Sequence, residues 1–309
     1  MSSLPKSATV PLGHYDDHAK GMLIAACGVL VLSFDALLIR LADSSFHNIT
    51  FWRGSLTCLA TLLLCLCWRQ RWPTTLGLWF AGLAIATLYG VNTWLFVFSI
   101  SHTSTANTVV ILASSPLFAA LFSRLLLGER VVRRTLMAIG VSLIGVLVVF
   151  AGSDATGSQW LGDLAALTLA ASMGAMFTLL RRFQGLPRLP VIALAGAVAA
   201  LVSWPLASPL TLAPASYGWL TLMGLIQIPL ATLLIMTAPR FLPSTEVSLF
   251  MLLETVLGPV WVWLMLGETA SLHTLIGGTA ILGAISVNTW LALRSAGVRP
   301  EPGSARRKY

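Results

Sequence analysis

Asp35 and Glu254 each lie deep inside a long apolar run of this 309-residue chain. An ionised carboxylate at the centre of a membrane-spanning helix costs about 2.5–3.5 kcal/mol on insertion scales, so a residue of this kind points to a task. Two tasks suit it: carrying a proton, or holding the positive group of a substrate. At 1.5 Å per residue, Asp35 stands about 21 Å from the start of its run and Glu254 about 16 Å from the start of its own. Other polar side chains share this depth. Asn92 is about 22 Å from one end of its run, and Tyr89, Asn92 and Phe96 are spaced as one helical face, which suits a mixed aromatic and polar pocket wall. Asn107 sits near the end of the next run. Gln227 lies near the centre of another, beside Pro229, where a proline frees a carbonyl that only protein or water can satisfy. Glu246 precedes Glu254 by eight residues, about 80° around a helix, so one cavity can touch both. Arg40 and Arg53 flank the first polar connection and are candidates for an outer rim or gate.

Each of these residues also has a plainer role open to it. Asn92, Asn107 and Gln227 suit interhelical hydrogen bonding as well as substrate contact. Asp35 can form a structural ion pair with Arg40 or with Arg53, and Glu246 can face the water at the end of its run. Glu129 and Glu268 each follow a Leu-Gly pair and suit turns or helix ends. Enzyme chemistry has little to stand on. There is no phosphate-binding loop and no nucleophile–base pair, and none of the five histidines falls at the centre of an apolar run. Cys27, Cys58, Cys65 and Cys67 lie inside apolar runs without metal-ligand spacing and read as small core residues. No catalytic residue, metal or cofactor is therefore expected.

The elements that must position these groups follow from composition. The chain is 57% hydrophobic and 10% charged, against about 25% charged in a soluble domain. A span needs about 20 largely apolar residues to cross about 30 Å of hydrocarbon. Ten runs meet that need: 21–41, 50–68, 77–99, 104–123, 133–151, 162–180, 190–209, 217–238, 243–266 and 272–293. They are too long and too uniformly apolar for barrel strands, and lipid demands internally satisfied backbone, so helices are expected. With the N-terminus inside, every one of the 19 lysines and arginines except Arg40 and Arg53 falls in a cytoplasmic segment. That bias sets the orientation, and it assigns the net charge of +8 to topology and anionic lipid rather than to nucleic acid.

A repeat runs through this pattern. The stretch from Ser115, SPLFAALFSRLLLGERVVRRTLMAIGVSLIGV, returns in degenerate form from Glu254 as ETVLGPVWVWLMLGETASLHTLIGGTAILGA. The first copy carries Arg124, Arg130, Arg133 and Arg134; the second carries no arginine or lysine. An odd number of spans separates the copies, so the second is upside down and its loop, on the outside, excludes arginine. Gly21 matches Gly162 at an offset of 141, and Gly77-Leu-Trp matches Gly218-Trp-Leu. At an offset of 139, Glu246 falls on Asn107 and Glu254 on Ser115. The expectation is an all-α integral membrane protein of ten transmembrane helices in two inverted five-helix repeats. It comprises a cytoplasmic tail (1–20), the first repeat (21–151), the second (160–293) and a basic cytoplasmic tail (294–309). Inverted repeats characterise secondary transporters, whose substrate site lies near the midplane between the halves.

The residues from Ala106 to Val149, with Ser115-Pro116, Leu127-Gly128-Glu129 and Gly140/Gly145, and their weaker copy from Thr245 to Val287, resemble the EamA type of the drug/metabolite transporter superfamily. Phe51-Trp52-Arg53 is similar to the aromatic-plus-arginine start of that family's second span. One departure is that Pro116 falls opposite Thr255, with Pro259 four residues later, so the two halves are expected to bend at different depths. The resemblance implies a bacterial inner-membrane transporter, with a small-molecule substrate such as an amino acid or related metabolite and with efflux as the leading direction. Alternating access is the expected mechanism, and protons are a candidate coupling ion. A channel or lipid translocator on the same bundle stays open as an alternative, with a membrane-embedded enzyme further behind.

Overall fold

A computed structural model describes residues 13–70, 75–128, 133–152, 157, 159–183, 185–237 and 244–296. Among them every regular element is helical. The first span is broken: α1 (Gly13–Ser33) and α2 (Asp35–Leu41) meet at Phe34. The second is α3 (Phe46–Cys67) and the third α4 (Leu76–His102). The fourth is broken as well, into α5 (Thr105–Leu112) and α6 (Ser115–Leu127), and the fifth is α7 (Arg133–Ala151). In the second half, α8 (Gln159–Arg182) and α9 (Arg188–Ser203) are the sixth and seventh spans. The eighth is α10 (Pro214–Thr221), a wider π-helical stretch (Leu222–Gln227) and α11 (Ile228–Thr237). The ninth and tenth are α12 (Ser244–Leu266) and α13 (Leu272–Ala296). Seven of these spans are long and apolar enough to cross a bilayer, and shorter apolar helices (Leu136–Ala151, Leu253–Leu266 and Leu272–Asn288) occupy the other three positions.

The helix contacts recur between the two halves of the chain. α3 packs on α9 and α7 on α13, so the second and fifth spans each meet their own counterpart. The contact of α4 with α8 recurs as α11 with α1, and that of α6 with α8 recurs as α12 with α1. Small residues make the two self-paired crossings. A side chain at Gly54 would put its Cβ 2.6 Å from the carbonyl oxygen of Gly196, and one at Gly145 would be 2.8 Å from that of Gly277. Backbones approach this closely in lipid because no hydrophobic drive separates helix from tail, and van der Waals contact between small residues takes over. The outward faces are apolar, with Leu63, Phe80, Leu125, Leu147, Leu201 and Leu264 all more than half exposed on the protein surface.

The repeated Leu-Gly-Glu has a backbone reason. Gly128 and Gly267 adopt φ of 69° and 71° just past α6 and α12, a left-handed cap that glycine enters without steric strain. The displaced proline predicts bends at different depths in the two halves, but only one of the two spans is interrupted. The fourth span breaks at Ala113 and Ser114, immediately before Ser115-Pro116, whereas the ninth runs through Pro259 unbroken.

Candidate functional site

The break in the first span is held from outside itself. Gln227 Nε2 donates to the carbonyls of Val31 (3.1 Å) and Leu32 (3.4 Å), which the interrupted helix leaves available. Trp261 of α12 donates its indole N–H to Ser33 Oγ at 2.9 Å, and its ring stacks on Phe34 with centroids 4.8 Å apart. The chain thereby turns at Phe34 and starts α2 with Asp35 facing the interior.

Asp35 meets Arg53 of α3 there. Both are buried, 3% and 8% exposed, and the guanidinium donates from both terminal nitrogens, at 2.9 Å to Oδ1 and 2.8 Å to Oδ2. A forked pair of this kind fixes orientation as well as charge. The Arg53 guanidinium also lies 5.6 Å from the centroid of the Phe96 ring, within cation–π range. Arg53, expected on the outer rim with Arg40, is instead a buried member of the central layer.

Tyr89 and Asn92 come to this layer from α4. Tyr89 lines the same cavity as Arg53 and Ile228, with Thr232, Asp35 and Glu254 nearby. Asn92 is buried, with Nδ2 4.0 Å from Met176 Sδ and Oδ1 without a hydrogen-bond partner. Glu254 of α12 is half-buried and feels the charges of Asp35 and Arg53. It lies one turn before Gly258, where α12 passes the carbonyl of Ser33. The structure therefore gathers Asp35, Arg53, Tyr89, Gln227 and Glu254 around one break between the repeats, with Asn92 one turn along α4 from Tyr89 and from Phe96. Beside them a cavity of about 20 Å³, lined by Arg53, Thr57, Tyr89, Thr93, Ile192 and Ile228 among others, has room for about one water molecule.

Asn107 belongs to a second cluster, at the Arg40 end of the bundle. Its Nδ2 donates to both carboxylate oxygens of Asp163 (3.2 and 3.3 Å), and Thr274 of α13 donates to its Oδ1. Thr103 donates to Asp163 at 2.7 Å. Arg40 bonds the Thr103 carbonyl at 2.9 Å and pairs with Glu268 at 3.1 Å, and Glu268 accepts the backbone N–H of Thr105 at 2.6 Å. Glu268 thus does cap a helix end, that of α5, but from the opposite repeat. Glu129 and the side chain of Glu246 lie outside the described residues.

Asp163, fully buried, is the residue that sequence reasoning passed over. It is the second residue of an apolar run, where a carboxylate reads as a boundary group. A signal was present in Gly162 beside it: a Cβ there would lie 2.9 Å from Thr103, so the start of α8 is pressed against the Thr103 turn.

Among known proteins, the sequence pattern of the EamA-like transporter family matches residues 19–151 and 160–290. Two relatives, both named pseudopaline exporter CntI, come from Pseudomonas aeruginosa strains UCBPP-PA14 and PAO1. Each is 26% identical over 276 residues, spanning 85% of this chain and 94% of the relative. A solved crystal structure superposes with a TM-score of 0.62 at 20% identity, covering 88% of this chain and 99% of the other, a likeness of fold.

Proposed function

Because the chain belongs to the EamA-like transporter family, we propose that it exports a small polar or amphipathic metabolite, an amino acid or related compound, by alternating access. The membrane is a bacterial inner membrane, with both termini in the cytoplasm. The observation that carries this reading is the buried Asp35–Arg53 pair at a helix break between the repeats, where secondary transporters place their substrates. The names of the two relatives support efflux. Alternating access is supported by the two polar clusters. Arg40, Thr103, Asn107, Asp163, Glu268 and Thr274 tie both repeats together at the outer end, while the central cavity of about 20 Å³ is too small for a metabolite. Substrate entry therefore requires the halves to rearrange, as in a carrier, and a permanently open pore does not fit. Glu254, outside the ion pair, is the group able to take up and release a proton, and a proton gradient is the proposed driving force.

Counterflow tests the reading. Liposomes containing the purified chain and preloaded with unlabelled amino acids, tested one at a time, are expected to accumulate the matching labelled compound transiently, with saturation. Linear, non-saturable uptake would instead assign a channel. Scrambling of labelled lipid without counterflow would assign a lipid translocator.

A further inference from the structure

Hydrogen-bonding groups around the break in the first span do not balance. Donors at the break are engaged: each terminal nitrogen of Arg53 places an N–H on Asp35, Gln227 Nε2 is on the carbonyls of Val31 and Leu32, and the Trp261 indole is on Ser33. Acceptors are left over. Asn92 Oδ1 and Gln227 Oε1 are buried without a partner, in residues only 3% and 5% exposed. Two backbone carbonyls on its amide nitrogen fix which way Gln227 points, and Asn92 turns its amide nitrogen toward the Met176 thioether. Glu254 makes no ion pair or hydrogen bond with any described residue.

Charge is unbalanced in the same sense. Asp35 and Arg53 cancel each other, and Glu254 remains as the layer's third ionisable charge. A buried acceptor without a donor is more unfavourable than a matched pair. The layer is therefore complementary to a ligand that brings N–H donors and positive charge. A primary ammonium has three N–H donors and no acceptor, against three unmatched acceptor groups on three different helices. Carboxylates have the opposite needs, and the one guanidinium in the layer is already held by Asp35.

We propose that the central site takes its substrate by a primary ammonium group, with Glu254 as counter-charge and the side-chain oxygens of Asn92 and Gln227 accepting the remaining N–H groups, so that organic cations are preferred over their anionic N-acyl analogues. This rests on the transporter reading and narrows it to a substrate class.

The test uses the full chain in detergent micelles. Dicyclohexylcarbodiimide activates carboxyl groups in apolar surroundings, and the loss of unmodified Glu254, counted as the N-acylurea together with any amide formed with a probe amine, is quantified by mass spectrometry of the digested protein. Methylammonium, leucinamide and phenethylamine are the cationic probes, N-acetylleucine the anionic one, and sodium chloride the control. At about ten times its half-protecting concentration, at least one amine is expected to slow Glu254 labelling by about tenfold, with N-acetylleucine and sodium without effect. Asn92→Leu, with Glu254 still present to be labelled, is expected to raise the half-protecting amine concentration by several-fold. The assignment is overturned if no amine protects, if N-acetylleucine or sodium protects equally, or if Glu254 is not labelled. Saturable counterflow of an anionic metabolite would reject the ammonium site while leaving the carrier reading intact.

Discussion

Replacing Asp35 by Asn leaves the Arg53 guanidinium charged, 8% exposed and without its carboxylate. Removing one partner of a buried ion pair costs about 3–5 kcal/mol, because the remaining charge stays in a medium that solvates it poorly. The Arg40–Glu268 pair gives the contrast. Its side chains are 27% and 26% exposed, where a broken pair costs about 0–1 kcal/mol. Arg53→Gln has the converse effect of stranding Asp35. The double variant Asp35→Asn/Arg53→Gln strands neither charge and can keep one amide–amide hydrogen bond, so it should recover much of the loss, with a coupling of about 2–3 kcal/mol. Thermal unfolding in detergent, followed by tryptophan fluorescence and checked by size-exclusion chromatography, measures all four proteins of the cycle. The expected order places the double variant above either single variant and below the parent. Counterflow should be lost in the double variant despite its recovered stability, since the pair also shapes the central layer. If the two single losses simply add in the double variant, the buried-pair argument fails.

Five further outcomes are expected. Glu268→Gln should lower the unfolding temperature only modestly, since both side chains of the pair are partly exposed and Gln keeps an oxygen for the Thr105 N–H, yet it should make a cysteine at Thr105 react faster with an impermeant maleimide as the outer cluster loosens. Asp163→Asn puts an amide where Thr103 and Asn107 both donate, and should lower stability by about 1–3 kcal/mol in the same unfolding assay. Gly54→Val drives a side chain into the backbone of Gly196 and Ala200, at 2.6 and 2.8 Å from its Cβ, and should cost about 1–3 kcal/mol or more. Gly140→Ala, which meets nothing within 4 Å, should melt near the parent. In intact cells, on a background without the native cysteines, a cysteine at Ala270 should react with the impermeant maleimide and one at position 131 should not; the reverse pattern would overturn the inverted orientation.

Spans, repeat and bias of positive charge were legible in the sequence because each depends on properties a segment carries by itself. A run of about 20 apolar residues needs a bilayer wherever it packs, and an arginine resists translocation whatever its neighbours. Local chemistry also marked the break in the fourth span, since Pro116 has no N–H to donate to the carbonyl four residues back, at Leu112, where α5 ends. Glycine in Leu-Gly-Glu likewise announced a left-handed cap in both copies.

Partnership was decided only in three dimensions. Arg40 and Arg53 were equal candidates for Asp35, and nothing within the first span distinguishes them. The choice fell to Arg53 because the second span packs where its seventh-span counterpart lets two glycine backbones touch, and because the first span turns at Phe34. That turn has no proline or glycine of its own; Gln227 and Trp261, about 200 residues away in sequence, hold it. Arg40 was thereby left for Glu268, and Asn107 for Asp163, residues from opposite repeats. Hydrophobicity and charge bias act on each segment alone, so a single sequence displays them. A buried hydrogen bond or ion pair depends on two groups meeting within about 3 Å, and that distance exists only once every helix has its place.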